Sequence, residues 1–292
     1  MSSVVDQVHR GLEWKLPLRK NGKATGSRGL LVRDAPEEDW LRPGIPPNAS
    51  PFCSFECPPT KYISLSPEHE RRSTFDCPWA LPKIIMSSKR KSRNPWRIAA
   101  FVDDCGLAFY QTFSGIWPKN PRFLPALAAI LNGPVANAFV VICDGSSPGI
   151  AKETLLSIPV PRFEGNDLET LGSLVATYRA AVAQARAMPE PDWCNADFIL
   201  RRIDAAVLSG YDLSPRSERK LLDYFRGHRR PVPFSFAEYF PADFRPCVPL
   251  AEYLSDSFAM ATADAVRRRY ETPSAEVLRS IKAVTDRGRS GT

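Results

Sequence analysis

The pattern of apolar and polar positions predicts a strand-rich region followed by a helical one. Short runs of β-branched and aromatic residues, bounded by turn residues, predict strands at 62–65, 82–87, 97–103 and 107–112. The run at 124–131 is apolar nearly all round and predicts a core helix. Gly133 is predicted to end it as a left-handed cap, and Pro134 to open a second helix over 135–142.

Helical periodicity dominates the second half of the chain. Apolar residues recur at steps of three and four in a stripe made of Leu168, Leu171, Val175, Tyr178 and Val182. Asn166 and Glu169 predict a capping box at its start. Other helices are predicted at 152–157, from Asn195 to about 208, from Ser214 to about 227 and from 250 to about 270, with an irregular proline-rich strap at 229–250.

These elements predict an α+β fold with three regions. Residues 1–162 form the mixed strand and helix domain, 163–272 a helical region and 273–292 a polar tail. The glycine- and proline-rich stretch at 20–60 favours irregular loops with short strands. Asp and Gly at 103–106 predict a hairpin turn.

The composition of the chain indicates its expected cellular location. The chain is 43% hydrophobic and 24% charged, with no apolar run of about 18 residues and no apolar signal core at its N-terminus. We therefore expect a cytoplasmic protein with no membrane partner. Seven cysteines are scattered, and the lone C-x3-C of Cys53 and Cys57, with Cys77 further on, leaves zinc possible but favours reduced thiols.

Positive charge is concentrated in one short segment. The net charge is +7 and the isoelectric point is near 9.1, which favours a polyanionic partner. Six basic residues and no acidic residue lie between positions 83 and 97. They are Lys83, Lys89, Arg90, Lys91, Arg93 and Arg97. Clustered cations displace counterions from one run of phosphates, so this segment predicts a nucleic-acid contact.

Several short motifs occur in an informative order. They are HRGLEW at 9–14, PKII at 82–85, LAAILNGPVANAF at 127–139, KETLLSIPVP at 152–161 and IDAAVLSGYDLSPRSERKLLDYF at 203–225. Together they resemble the C-terminal target-recognition region of bacterial N6-adenine DNA methyltransferases of restriction-modification and phage-defence systems. The resemblance covers most of residues 8–226. It implies a sequence-specific DNA-binding portion of a split or truncated methyltransferase, with double-stranded DNA and a separate catalytic subunit as partners.

The expected DNA contacts centre on the loop at 87–97, between two predicted strands. Lysine, arginine and small hydroxyl side chains contact phosphates, and arginine reads guanine. Trp96 and Trp117 either face the groove or pack under the loop, and Arg10 joins the site if the family's order holds. The candidates are Arg10, Lys83, Ser87, Ser88, Lys89, Arg90, Lys91, Arg93, Trp96, Arg97, Trp117 and Lys119.

No methyl-transfer site is found in the sequence. A glycine-rich loop for S-adenosylmethionine and the (N/D/S)PP(Y/F) tetrapeptide that holds a flipped adenine are both missing. The nearest string, ECPPTKY at 56–62, has cysteine and threonine where the amide and the ring are needed. We therefore assign no catalytic, cofactor or metal residue to this chain, and S-adenosylmethionine would bind the catalytic partner.

Other functions stay open. The chain could be a restriction-type nuclease or another hydrolase, although nuclease chemistry needs carboxylates near a lysine on adjacent strands, and Asp103 and Asp104 read as a turn. It could also be an interaction protein that does not bind DNA. The stripe at 166–187 either packs on the chain's own helices or binds the catalytic subunit. Arginines at 201–202 and 226–230 track DNA, contact a partner or are ordinary surface residues.

Overall fold

The protein folds as α+β, as the sequence pattern predicts. A computed structural model describes these residues: 1–10, 18–20, 23–25, 32–36, 41–47, 49, 52–65, 77–88, 94–145, 149–236 and 238–259. The predicted polar tail and most of the predicted last helix lie outside them.

An antiparallel four-stranded sheet carries the site. Its strands are β1 (Val5–Arg10), β7 (Lys83–Ser87), β8 (Ala100–Asp103) and β10 (Phe113–Pro118), in the order β1-β10-β7-β8. Because β7 and β8 are adjacent and antiparallel, the basic loop closes a long hairpin between them. The predicted strand at 82–87 is confirmed, and the one at 97–103 is shorter than expected.

A second sheet has the order β4-β6-β5-β9. Its strands are β4 (Val32–Arg33), β5 (Leu41–Ile45), β6 (Lys61–Ser64) and β9 (Ala108–Phe109), and only β5 and β9 run parallel. A separate two-stranded pair consists of β2 (Leu18–Lys20) and β3 (Lys23–Thr25). The hairpin predicted at 103–106 is wrong, because β8 and β9 belong to different sheets, although Gly106 does turn the chain with a φ of +75°.

Both faces of β7 are buried. Ile84 and Met86 point into the core formed with the helices, whereas Ile85 packs on the other side with Phe101 and Trp117. Alternation along a strand explains this split, since successive side chains point to opposite faces. A central strand covered on both sides is a rigid support for whatever follows it.

Eight α-helices are described, and a short 3-10 helix at Pro121–Phe123 precedes them. They are α1 (Leu124–Asn132), α2 (Pro134–Asp144), α3 (Lys152–Ser157), α4 (Asp167–Ala187), α5 (Cys194–Ser209), α6 (Pro215–Asp223), α7 (Leu250–Tyr253) and α8 (Asp256–Ala259). Helix α1 packs on β7 and β8 with one side and on α4 and α5 with others, and is buried along almost its whole length. The helices predicted upstream of 229 are therefore present, and the strap is irregular as expected.

Several predicted caps differ from the structure. Gly133 has a φ of −83°, so it is not left-handed; a Cβ there would lie 3.1 Å from the carbonyl oxygen of Ala129, which favours glycine through close packing. Asn166 makes no capping hydrogen bond, and Trp193 rather than Asn195 is the N-cap of α5. Ser214 does cap α6, where its hydroxyl accepts from the backbone N–H of Ser217.

The predicted α+β and helical regions share one hydrophobic core. The cluster that contains Val5 and Ile84 also contains Tyr178, Leu200 and Phe225. The boundary at 162 stays a prediction. Within the described part of the chain, no single helix has the length and apolar character to cross a membrane; residues 121–132 and 134–144 reach them only as a pair bent by 61°.

Candidate nucleic-acid interface

The register of the main sheet decides which predicted residues lie near the basic loop. Ser87 pairs with Phe113 across β7 and β10, and the row formed by Met86 and Ser114 continues to Arg10 in β1. We call this end of the strands, where Ser87, Phe113 and Arg10 lie, the loop end. The backbone of Arg10 lies two strands from β7, at about 10 Å given the usual strand spacing of about 4.8 Å. The expectation that Arg10 lies near the loop agrees with this register.

Ser88 holds the chain where the loop begins. Its hydroxyl donates to the carbonyl oxygen of Gln111 at 2.8 Å, and its N–H donates to the carbonyl of Thr112 at 2.8 Å. The carbonyl of Ser88 accepts from the N–H of Ile150 at 3.0 Å. Both polar backbone groups and the side chain are therefore bound within the protein, and the start of the loop has a defined position.

Two asparagines at the α1–α2 break hold the returning chain. Asn137 accepts from the N–H groups of Arg97 and Ile98 at 2.7 and 2.8 Å through its Oδ1 atom. Asn132 accepts from the N–H of Ala100 at 2.9 Å and donates to its carbonyl at 2.8 Å. Each amide substitutes for the backbone of a neighbouring strand. Buried backbone groups need such partners, which explains polar residues inside an otherwise apolar helix pair.

The loop returns to the protein through Asn94 and Trp96. The side-chain amide of Asn94 donates to the carbonyl of Arg229 at 3.1 Å, and its oxygen accepts from the N–H of Trp96 at 3.0 Å. The indole of Trp96 is buried, with the ring of Phe225 at 4.2 Å and the guanidinium carbon of Arg230 at 4.5 Å from its centre. Thus the C-terminal side of the loop is fixed to the segment 225–230.

Arg230 itself is the centre of a buried polar network. Its guanidinium donates to both carboxylate oxygens of Asp204 and, at 2.8 Å, to the carbonyl of Asn132. Tyr239 donates to the same carboxylate at 2.8 Å. Burial alone would lower the pKa of Arg230, but Asp204 and Tyr239 raise it above its usual value. The network joins α1, α5 and the strap directly behind Trp96.

Four of the predicted contacts, Lys89, Arg90, Lys91 and Arg93, lie outside the described residues. Four others form the base of the loop: Ser87, Ser88, Trp96 and Arg97 are all buried. This corrects their prediction as DNA-facing groups, because a side chain enclosed by protein offers nothing to a groove. For Trp96, packing under the loop is the alternative that the structure supports. The guanidinium of Arg97 reaches the carbonyl of Gly145 at 3.5 Å.

Three predicted contacts lie at the opposite end of the sheet; burial corrects the assignment of Lys83 and Trp117, whereas that of Lys119 stays a prediction. Lys83 pairs with Asp103 across β7 and β8, and Trp117 is buried nearby and donates to the carbonyl of Pro78 at 3.2 Å. Lys119 is exposed, but its ammonium donates to the carbonyl of Ser2 at 3.3 Å. Six residues of β10 separate it from the loop end, which is roughly 20 Å at 3.4 Å per residue.

Lys83 and Asp103 are a lysine and a carboxylate on adjacent strands, the combination that nuclease chemistry requires. Both side chains are buried, at 0% and 1% exposure. Asp103 also accepts from the N–H groups of Cys105 and Leu107, and Lys83 donates to the carbonyl of Trp79 at 2.7 Å. The pair is saturated by protein groups, so it supports the fold rather than a phosphate.

Metal-type ligands come together at one place among the described residues. Asp103, Asp104 and Cys105 have ligand atoms within 4.8 Å of one another. Asp103 already pairs with Lys83, so Asp104 and Cys105, two exposed residues of the same turn, are the ligands that remain for a metal ion. Cys53 and Cys77 are buried and Cys57 is exposed, and these three do not form a ligand cluster in the described structure.

The apolar stripe of α4 packs inside the molecule. Leu171, Val175, Tyr178 and Val182 are buried against α1 and α5. This corrects the alternative that the stripe binds a catalytic subunit. Its outward residues stay exposed.

Sequence reasoning missed the groups that position the loop. Asn132, Asn137, Asp204 and Arg230 are all buried and polar. The two asparagines had a readable signal, since a carboxamide inside an apolar helix needs a partner. Arg230 had none, because it stands among three other basic residues in a proline-rich stretch. Comparison with known proteins found neither a matching protein-family model nor a matching curated sequence.

Proposed function

We propose that this chain is the DNA-binding, target-recognition portion of a split or truncated N6-adenine DNA methyltransferase. In this proposal, segment 89–93 contacts the phosphates and the major groove of duplex DNA. The backbone of Arg10 lies at the same end of the sheet. A separate subunit supplies S-adenosylmethionine and the methyl-transfer site.

One observation carries the proposal: a segment of sequence KRKSR lies between the buried, hydrogen-bonded Ser88 and the half-buried, hydrogen-bonded Asn94. Ser88 anchors its start, and Asn94 with Trp96 anchors its end. Four cations in five residues repel one another, so their concentration has a cost unless a polyanion neutralises it. A rigid base lowers the conformational entropy lost when such a segment binds DNA.

The motif at 127–139 supports the proposal in a second way. Its two asparagines hold the return of the loop, so the resemblance falls on residues with an identifiable structural role. The resemblance to the methyltransferase region therefore concerns the framework that presents the loop. It supplies no catalytic residue.

Binding of the purified chain to a mixed-sequence duplex tests the proposal. Fluorescence anisotropy across a salt titration should give a log K against log salt slope of about −5 if about six phosphates are contacted. Absence of binding to duplex at low salt, both alone and with the product of the neighbouring gene, would refute the proposal.

The variant Lys89→Ala/Arg90→Ala/Lys91→Ala/Arg93→Ala tests the segment itself. Its affinity should fall, and the salt slope should shrink by up to about four units, one for each lost phosphate contact. The matched control, Arg162→Ala/Arg179→Ala/Arg216→Ala/Lys220→Ala, removes the same charge from exposed positions on the helical side. Equal losses in the two variants would mean that net charge, and not the segment, drives binding.

A further inference from the structure

A cavity of about 510 Å³ opens beside the point where the basic loop rejoins the protein. It lies between the start of α5 and the strap, and Trp193, Asp197, Arg229 and Phe234 are among its lining residues. The carbonyl of Arg229 is the group that binds the side chain of Asn94. The cavity is therefore directly adjacent to the anchored end of the loop. Its volume is within the range of about 300–1,000 Å³ that is usual for small-ligand sites.

One wall of the cavity is aromatic. The ring of Trp193 stacks on that of Phe234, with centroids 5.7 Å apart and an angle of 28° between the planes. Phe234 is buried, and Trp193 is only half-buried. The buried phenyl ring thus supports an indole that retains accessible surface. A nucleobase can stack on such a ring whatever its sequence, because every base has a π face.

The charged groups of the cavity suit a nucleotide better than a neutral aromatic ligand. Arg229 is exposed, and its guanidinium forms no ion pair with any residue that the structure describes. Asp197 is neutralised by Arg201 at 2.8 Å through one oxygen, so it repels an incoming phosphate less than a bare carboxylate would. Its other oxygen, Oδ1, is buried and accepts no hydrogen bond from the described residues. This oxygen is enclosed by protein, so it does not contact a ligand that occupies the cavity.

We infer that this cavity binds one unpaired nucleotide of the DNA held by segment 89–93. The base stacks on Trp193, and the phosphate pairs with Arg229. The inference rests on the proposed function for the source of the nucleotide, but the cavity can be tested independently of it. It adds a contact that the paired duplex cannot make, because paired bases are stacked on one another.

The experiment uses two duplexes that differ by one nucleotide: the first is fully paired, and the second carries one additional, bulged adenine. Binding of the full chain to each is measured by fluorescence anisotropy. The bulged duplex should bind at least about fivefold more tightly, the lower end of what stacking of one base contributes. Trp193→Leu should bring the ratio of the two affinities to about one and leave binding of the paired duplex unchanged. Phe198→Leu should keep the wild-type ratio, since Phe198 is 45% exposed on α5 but does not line the cavity.

Arg229→Met gives a second variant at an exposed position, for the case that Trp193→Leu does not fold. It should also lower the ratio toward one. Equal affinity of the wild type for both duplexes, or a ratio that both cavity variants retain, would overturn the inference.

A single-stranded oligonucleotide separates this inference from the proposed function. If the wild type binds the single strand, but no duplex, and Trp193→Leu weakens that binding, the cavity is retained and the duplex-reading function is rejected. Failure to bind either form overturns both.

Discussion

Two buried cations support opposite ends of the structure that presents the basic loop, and they are stabilised differently. Arg230 lies behind the end of the loop and has the two oxygens of Asp204, the carbonyl of Asn132 and the rings of Trp96 and Phe236 as neighbours. Lys83 lies at the far end of β7 and has one carboxylate, one carbonyl and the ring of Trp117, 5.9 Å from its ammonium nitrogen, as neighbours. Neither side chain is exposed.

The direction of the pKa shift separates the two sites. For Lys83, burial lowers the pKa, and the hydrogen bond and charge of Asp103 offset this only in part. For Arg230, the carboxylate and Tyr239 outweigh burial and raise the pKa. A planar guanidinium binds a carboxylate with two parallel bonds, whereas an ammonium is a compact, strongly hydrated charge. The carboxylate therefore compensates the burial of charge more fully at Arg230, although its Nε–H has no hydrogen-bond partner among the described residues, and Arg230 joins more elements than Lys83 does.

The largest expected effect is the loss of Asp204. Asp204→Ala leaves the guanidinium of Arg230 buried without its carboxylate, so the free energy of unfolding should fall by about 5 kcal/mol, the upper end for a broken buried pair. Urea denaturation followed by circular dichroism measures this. Asp223→Ala removes a half-exposed carboxylate from Arg226 and from Arg219, which is buried but keeps two backbone carbonyls as partners, and should cost about 1 kcal/mol. Similar costs for the two variants would contradict the central role of Arg230.

A smaller effect is expected at Lys83. Lys83→Met should lower the free energy of unfolding by about 3 kcal/mol, because Asp103 keeps its two backbone donors but loses its counter-charge. Adding Asp103→Asn should recover part of this loss, because no buried charge then remains, although the amide can accept only one of the two backbone N–H groups. Lys61→Met is the matched control, because its ion pair with Asp34 is exposed and should contribute little. A double variant no more stable than the single one would show that the charge is not the cause.

The smallest effect is a dependence on pH that Lys83 should show and Arg230 should not, since the pKa of Arg230 is raised above its usual value. Its folded pKa lies below the ordinary value of about 10.5, so between the two the unfolded chain binds a proton that the folded chain has released. The contribution of Lys83 to stability therefore rises with pH in this window. Urea denaturation at pH 7 to 10 should show the wild type gaining stability relative to Lys83→Met. A stability difference between the two proteins that stays constant with pH would mean that folding does not shift the pKa of Lys83, and one that shrinks would mean that folding raises it. Either result would contradict the prediction.

The elements that the sequence predicts correctly are those whose formation depends on residues close together in the chain. The helices α1 to α6 are predicted by the periodicity of apolar residues and by residues that end or begin helices, such as Gly210 and Ser214-Pro215. Strand β7 is predicted by its apolar composition and its β-branched residues. The hairpin predicted at 103–106 is wrong because the same turn residues suit several local arrangements and sheet pairing selects among them. The predicted cap of α5 is wrong because the helix already begins at Cys194, whose N–H donates to Asp192.

The candidate site was only partly readable. The dense charge of 89–93 is a property of sequence alone. The pairing of Asn94 with Arg229 and the nearness of Arg10 to the loop end are not, since they join residues 135 positions apart or depend on the register of three strands. Lysine at 83 and arginine at 97 look equivalent to their neighbours in sequence, yet both are buried.

By itself, the sequence determined the α+β class, most helices and the concentration of positive charge, because local propensity and periodicity need no distant partner. Tertiary structure decided which cations are available to a ligand. Lys83 and Arg230 are buried where a carboxylate and a carbonyl from other elements meet them, as Asp103 meets Lys83 and Asp204 meets Arg230. Such meetings depend on sheet register and helix packing, which no single segment of the chain contains.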